Sequence, residues 1–223
     1  MGTAQHQSRL AADERREQLI QMGLELLGQR PYDQISITDL AKAAGISKGL
    51  LYHYFPTKAD FVIAVLHHSR EQLDERLTLD TSLSPAAAID ARLDAYLGYA
   101  EEHATGFLAV IQARRGDDDA IRDDLAAGRR RWVSTLTDFA VALAEAERAE
   151  VESPALETVL AAWLAFSEDV IARWLTTAEL QRDQVRHVLR QALFANLASV
   201  AAIDRTPAAK RLAKAAARAA GAD

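Results

Sequence analysis

The sequence predicts an all-α protein: a small N-terminal three-helix unit followed by a larger helical part. Alternating β-branched runs are absent, and Ala, Leu, Glu, Arg and Gln fill long stretches. The 10 Gly and 5 Pro among 223 residues are too few to interrupt those stretches often. A composition of 49% hydrophobic and 26% charged residues can bury a substantial core.

The first helix is predicted over Asp13 to Leu27, where Leu19, Ile20, Gly23, Leu24 and Leu27 recur at helical spacing opposite Arg15, Arg16, Glu17 and Gln21. Gly28 to Tyr32 ends it, with Pro31 marking a turn. Ser36-Ile-Thr-Asp39 has the pattern of a capping box and opens a short helix to about Ala44. Gly45 supplies a tight turn, Ile46 an apolar anchor, and Ser47 an N-cap for a second short helix through about Phe55. Pro56 stops that helix, and Thr57 with Asp60 forms another capping box opening a long helix to about Thr78. Longer helices are expected over Pro85–His103, Gly106–Arg114, Asp118–Glu147, Pro154–Thr177 and Gln181–Asp204. The division expected is a first domain at 1–60, a helical domain at 61–204, and a basic Ala-rich tail at 205–223, either a frayed helix or disordered.

Charge follows the same division. Residues 1–60 carry seven cations and seven anions, 61–204 carry 14 and 24, and 205–223 carry five and one, within a total of −6. The acidity belongs to the middle of the chain, so nucleic-acid contact is not excluded but has to be local. The absence of Cys excludes disulfides, thiolate metal sites and cysteine catalysis. No signal peptide opens the chain, and no run approaches the ~18–20 apolar residues of a membrane span, so the expectation is a cytoplasmic protein.

Two short helices joined by a Gly-containing turn make a helix-turn-helix pattern, with small Ala41 and Ala44 permitting close crossing. Taken alone, the pattern also fits an ordinary αα-corner. The wider segment is more specific: residues 16–61, above all ITDLAKAAGISKGLLYHYFPTKADF at 37–61, resemble the DNA-binding domain of the TetR family of transcriptional regulators. The resemblance runs in order and without gaps over about a fifth of the chain. Two departures stand out: Pro31, where the family often has Gly, and Leu50, where it often has Thr or another small polar residue.

The resemblance implies roles residue by residue. Ser36 meets a phosphate, and Thr38 a phosphate or a base edge; Ser47, Lys48, Gly49 and Leu50 form the groove-facing start of the recognition helix. Tyr52, Tyr54 and Lys58 clamp the backbone, with His53 beside them. Each also has a structural reading: Ser36, Ser47 and Thr57 serve as caps without DNA, and Lys48 and Lys58 as solvated charges. Tyr52 and Tyr54, two residues apart on a helix, cannot face the same way. Leu50 replaces a hydroxyl donor with an apolar contact, for which a thymine methyl is the partner in the groove.

The resemblance further implies a homodimer through the last two long helices, whose apolar seams run over 156–174 (Leu156, Val159, Leu160, Trp163, Val170, Trp174) and 185–203 (Val185, Val188, Leu189, Ala192, Asn196, Val200, Ile203). It also implies a small-molecule effector in the larger domain, released operator DNA, and a repressor's role. Tyr96, Tyr99, His103, Phe107, Trp132 and Trp163 are the effector-contact candidates, with Trp174 beside them, although aromatic stripes at this spacing also serve a core. Glu168, Asp169 and Arg173 interrupt an apolar helix, and an Asp169–Arg173 pair at i,i+4 is expected.

Other chemistry finds little purchase. His67 and Glu71 share a helix face but lack a third metal ligand, and Asp117, Asp118 and Asp119 with Asp123 and Asp124 read as an acidic helix start. Arg129, Arg130 and Arg131 are balanced by the acids upstream. No phosphate-binding Gly loop or hydrolase elbow is present, so neither cofactor nor enzymatic activity is expected. The alternative is a helical small-molecule carrier or enzyme that keeps a vestigial helix-turn-helix.

Overall fold

The computed structural model describes residues 2–27, 29, 34–77, 82–114 and 118–221, with side chains from Ala12 onward. Its described residues form helices and no strand: α1 (Gly2–Leu27), α2 (Ile37–Ala43), α3 (Lys48–Tyr54), α4 (Lys58–Arg76), α5 (Pro85–Glu102), α6 (Ala104–Ala113), α7 (Asp119–Ala144), α8 (Arg148–Val151), α9 (Pro154–Thr177), α10 (Arg182–Ile203) and α11 (Pro207–Ala220). The all-α expectation holds. The turn placed on Pro31, the helix end at Thr78 and Asp117 of the acidic run lie outside the described residues. No described helix is long and apolar enough to cross a membrane.

Contacts divide the chain into two compact units, Met1–Glu75 with His103–Asp124, and Arg76–Glu102 with Leu125–Asp223. The sequence division at 60/61 differs from this one because α4 reaches α1 through Phe61, Val65 and His68 and reaches Asp124 through His67 and Arg70. In the first unit Leu19 and Ile20 of α1, Leu40 of α2, Leu51 of α3, and Phe61 and Val65 of α4 are buried together. The crossing of α1 over α4 is close: a Cβ on Gly23 would stand 2.3 Å from Phe61 Cζ and 2.8 Å from Val65 Cγ2. Beyond the core, His68 bonds Gln21 at 2.6 Å and Glu17 at 3.1 Å, tying α4 to α1. His67 and Arg70 both reach Asp124, at 2.6 and 3.1 Å, and Asp118 caps α7 by accepting from Ile121 N at 3.2 Å. The acidic run is a helix start, and His67 pairs with a carboxylate 57 residues away.

α1 begins eleven residues earlier than Asp13. The stretch GTAQHQSRLAA has good helix formers but no apolar stripe, so periodicity is silent where propensity suffices. The helix expected to run to Glu147 ends instead at Ala144, because Glu145 adopts a left-handed conformation (φ 48°). Glu147 and Glu150 then form a capping box for the short α8.

The second unit is centred on α9 and α10. Trp163 Nε1 donates to Leu189 O at 3.0 Å across the pair, and Trp174 Nε1 donates to Leu180 O at 3.1 Å. Both indole N–H groups are spent on backbone carbonyls, as buried tryptophans require. The α10 seam is only partly the one expected. Val185, Leu189 and Val200 are buried, but Val188 and Ile203 are exposed (38% and 68%), and Leu193, Phe194 and Leu197 fill the core.

The 205–223 tail corrects the expectation of a frayed or disordered segment: α11 packs against α10 and α8. Thr206 caps it, and Ala208, Ala209, Leu212, Ala216 and Ala219 are buried while Lys210, Arg211, Lys214 and Arg218 face outward. Methyl side chains let helices approach closely, so bulky residues are not needed for this seam. Its end is held by Arg190, itself only 7% exposed. Arg190 Nη2 donates to Ala219 O at 2.8 Å, Nε pairs with Asp90 Oδ1 of α5 at 2.9 Å, and Gln191 Nε2 donates to Ala220 O at 3.1 Å. A cation at a helix C-terminus satisfies orphan carbonyls and opposes the negative end of the dipole. The Arg190 guanidinium also lies 5.1 Å from the centroid of the Phe194 ring.

Candidate nucleic-acid interface

The reading unit is assembled from local bonds. Ser36 N donates to Asp39 Oδ2 at 2.9 Å while Asp39 N donates to Ser36 Oγ at 3.2 Å, which fixes the start of α2. Leu40 and Ala41 of α2 are buried. At the turn Gly45 has φ 60°, a left-handed conformation that favours glycine, and a Cβ there would meet nothing within 4 Å. Conformation, and not space, is therefore what selects Gly45. Ile46 N returns to Ala41 O at 3.0 Å, and Leu50 N donates to Ser47 Oγ at 3.2 Å to open α3. Thr57 and Asp60 form their capping box with bonds of 2.9 and 3.0 Å.

Two residues hold α3 down. Leu51 and Phe55 are each 1% exposed, with Phe55 edge-on to Phe61 at 5.0 Å and the Arg16 guanidinium 5.1 Å from its ring centroid. This Arg16 contact was invisible to sequence reasoning, since nothing local links α1 to the end of α3. With Leu51 inward, the rest of α3 turns outward: Ser47, Lys48, Gly49, Leu50, Tyr52 and His53 are exposed, as are Ser36 and Thr38 of α2. Tyr54 is half-buried, its ring 5.5 Å from that of His53, so the two tyrosines part as their spacing requires. Lys58 is half-buried at the start of α4 and has partners within the chain.

The surface so formed presents hydroxyls, two lysines, an imidazole and a phenol. Asp39 and Asp60, its nearest acids in sequence, are engaged in the caps. Such a face can donate to phosphate oxygens from several sides without a large net charge.

The effector candidates divide between the two units. Tyr96, Tyr99, Trp132 and Trp163 belong to the second unit, whereas His103 and Phe107 belong to the first. Tyr96 and Trp132 are half-buried with ring centroids 6.4 Å apart. Tyr99 is 4% exposed beneath the Arg76 guanidinium, 5.3 Å from its centroid, and Trp163 is 5% exposed and bonded to Leu189, so both are built into packing. Arg129 and Glu168 pair across α7 and α9, leaving Arg129 Nε buried without an acceptor. The expected Asp169–Arg173 pair is replaced by Arg173 with Glu179 at 3.4 Å. Among the described residues no group of three or more His, Cys, Asp or Glu could hold a metal ion.

Comparison with known proteins agrees with this geometry. Residues 19–65 match the family described as bacterial regulatory proteins, tetR family, and residues 85–196 match the tetracyclin repressor-like C-terminal domain. The transcriptional regulator AcuR of Cereibacter sphaeroides is 38% identical over 90 residues, 39% of each chain. The transcriptional repressor KstR2 of Mycolicibacterium smegmatis is 29% identical over 131 residues, 56% of this chain and 64% of that protein. The activator FasR of the same species is 29% identical over 107 residues, 47% of this chain and 49% of FasR. The chain thus spans less than two thirds of the length of each of these relatives. A tetR-family regulator of known structure from Streptomyces coelicolor superposes with a TM-score of 0.74 at 26% identity, covering 93% of this chain and 88% of that one.

Proposed function

This chain belongs to the TetR family of bacterial regulatory proteins, and from that premise we propose that it is a repressor that grips a palindromic operator as a homodimer and releases it when a small molecule binds. The family makes it a helix-turn-helix transcription regulator. The observation that carries the finer reading is the outward face of α3: Lys48, Tyr52 and His53 are exposed while Leu51 and Phe55 anchor the helix from behind. Lys48 and Tyr52, four residues apart, share one edge of that face. In this reading Ser36, Thr38, Tyr54 and Lys58 take phosphates, Gly49 lets the helix sit deep, and no residue is catalytic.

The second unit supports dimerisation through α9 and α10. Phe166, Val188 and Ile203 stand exposed on these helices at 40%, 38% and 68%, an apolar presence on a surface that water would otherwise cover. Two copies of α3 held about 34–36 Å apart then meet successive turns of one DNA face. Effector binding changes that separation only through a differential affinity for the two states. Tyr96 and Trp132, half-buried in contact, are the effector contacts best supported by their surroundings. A protein that reads chromosomal operators works in the bacterial cytoplasm.

The experiment is selection of bound sequences from a randomised duplex pool with the purified full chain. A palindrome with half-sites one helical turn apart is expected, and the Lys48→Ala, Tyr52→Ala double variant should lose selective binding while keeping its circular dichroism. Selection of no sequence, or unchanged affinity of the double variant at matched salt, would overturn the reading.

A further inference from the structure

We propose that Leu50 is a specificity residue that reads the C5-methyl group of a thymine in the major groove. The inference rests on the operator-binding reading above and adds the base to it.

Two neighbouring leucines of α3 have opposite fates. Leu51 is 1% exposed and serves the core, whereas Leu50, one residue earlier on the same turn, is 39% exposed. Leu50 is exposed on the opposite edge of the α3 face from Lys48 and Tyr52, across Gly49 and His53. Its backbone N–H is spent on the Ser47 cap at 3.2 Å, so what Leu50 offers a partner is hydrocarbon. The start of the second helix is where such a unit meets base edges.

Gly49 supplies an independent observation. Its missing Cβ would approach no heavy atom closer than Ser47 Oγ at 3.9 Å, and its backbone needs no left-handed turn. Alanine is the better helix former, so the fold itself gives no reason for glycine at this position. A surface that must come close at Gly49 does. With the backbone drawn near the groove floor at Gly49, the next side chain reaches the base edges.

Hydrocarbon has one complementary group there. In the major groove adenine, guanine and cytosine present donors and acceptors, and thymine alone adds a methyl group. A Leu side chain packed on that methyl favours T·A, and it leaves the donor or acceptor of another base facing hydrocarbon.

The test replaces each thymine of the selected operator, one half-site at a time, with deoxyuridine. That change removes only the methyl and keeps every hydrogen-bonding group. At one position per half-site the wild-type protein should lose about fourfold in affinity, the value of one buried CH2 group. Leu50→Ala, checked for folding by circular dichroism, should bind the natural operator more weakly and treat uracil and thymine alike at that position. Leu50→Val should keep the preference. Indifference of the wild type to uracil at every position, or the same uracil penalty in Leu50→Ala, overturns the assignment while selective binding stands. Absence of any selective complex overturns this inference together with the reading beneath it.

Discussion

Replacing Gly49 by Ala should raise the stability of the protein and weaken its grip on DNA. Gly at the interior of a helix costs about 0.8–1.0 kcal/mol relative to Ala, and a position in the first turn realises roughly half of that. No clash offsets the gain, since the added Cβ finds its nearest neighbour 3.9 Å away. On DNA the same methyl occupies the approach surface and lifts α3 from the groove. Losing one good base contact costs about 1–3 kcal/mol, so two half-sites together cost about 2 kcal/mol or more, roughly 30-fold in Kd. The assay pairs urea denaturation at fixed protomer concentration with fluorescence anisotropy on the selected operator at fixed salt. Equal or tighter binding with unaltered selectivity would refute the close-approach argument. A lower urea midpoint would refute the claim that the fold leaves this position open.

Gly23→Ala should act in the opposite sense, costing about 1–3 kcal/mol in urea titration, because its Cβ would fall 2.3 Å from a Phe61 ring held edge-on to Phe55. An unchanged midpoint would mean that α1 and α4 separate freely. Arg190→Ala should cost about 1–3 kcal/mol, since it leaves the last carbonyls of α11 without their donor while Asp90 stays partly solvated; an unchanged midpoint would refute that role. The backbone N–H of Thr206 holds the Asp204 carboxyl below its ordinary value of 3.8. Asp204 therefore stabilises fully above that value and loses its contribution as pH falls through its lower folded value. Asp204→Asn should flatten the acid limb of Tm against pH, and an unaltered limb would rule the contribution out.

What the sequence disclosed was mainly local. The Ser36–Asp39 and Thr57–Asp60 boxes join residues three apart, so their chemistry is legible in a four-letter window. The parting of Tyr52 from Tyr54 follows from helical geometry alone. Selection among distant partners was not legible: Arg129 finds Glu168 39 residues away, and Arg173 takes Glu179 over its i−4 neighbour Asp169. α10 carries apolar residues all round, so periodicity could not decide that Phe194 points in and Val188 out. α11 was hidden for a different reason, its buried face being chiefly Ala, which a search for bulky residues passes over.

The Arg190 junction also sets an order of events during synthesis. Asp90 on α5 and the terminal carbonyls of α11 meet through one guanidinium. A chain made at about 5–20 residues per second separates those two groups by roughly 130 residues, or about 7–26 s. The first unit closes with Asp124, so its helix-turn-helix can mature while the second unit still lacks its final helix. The face of α10 destined for Ala208, Leu212 and Ala216 waits far less, since α11 is complete about 17 residues after α10 ends, or about 1–3 s at the same rate.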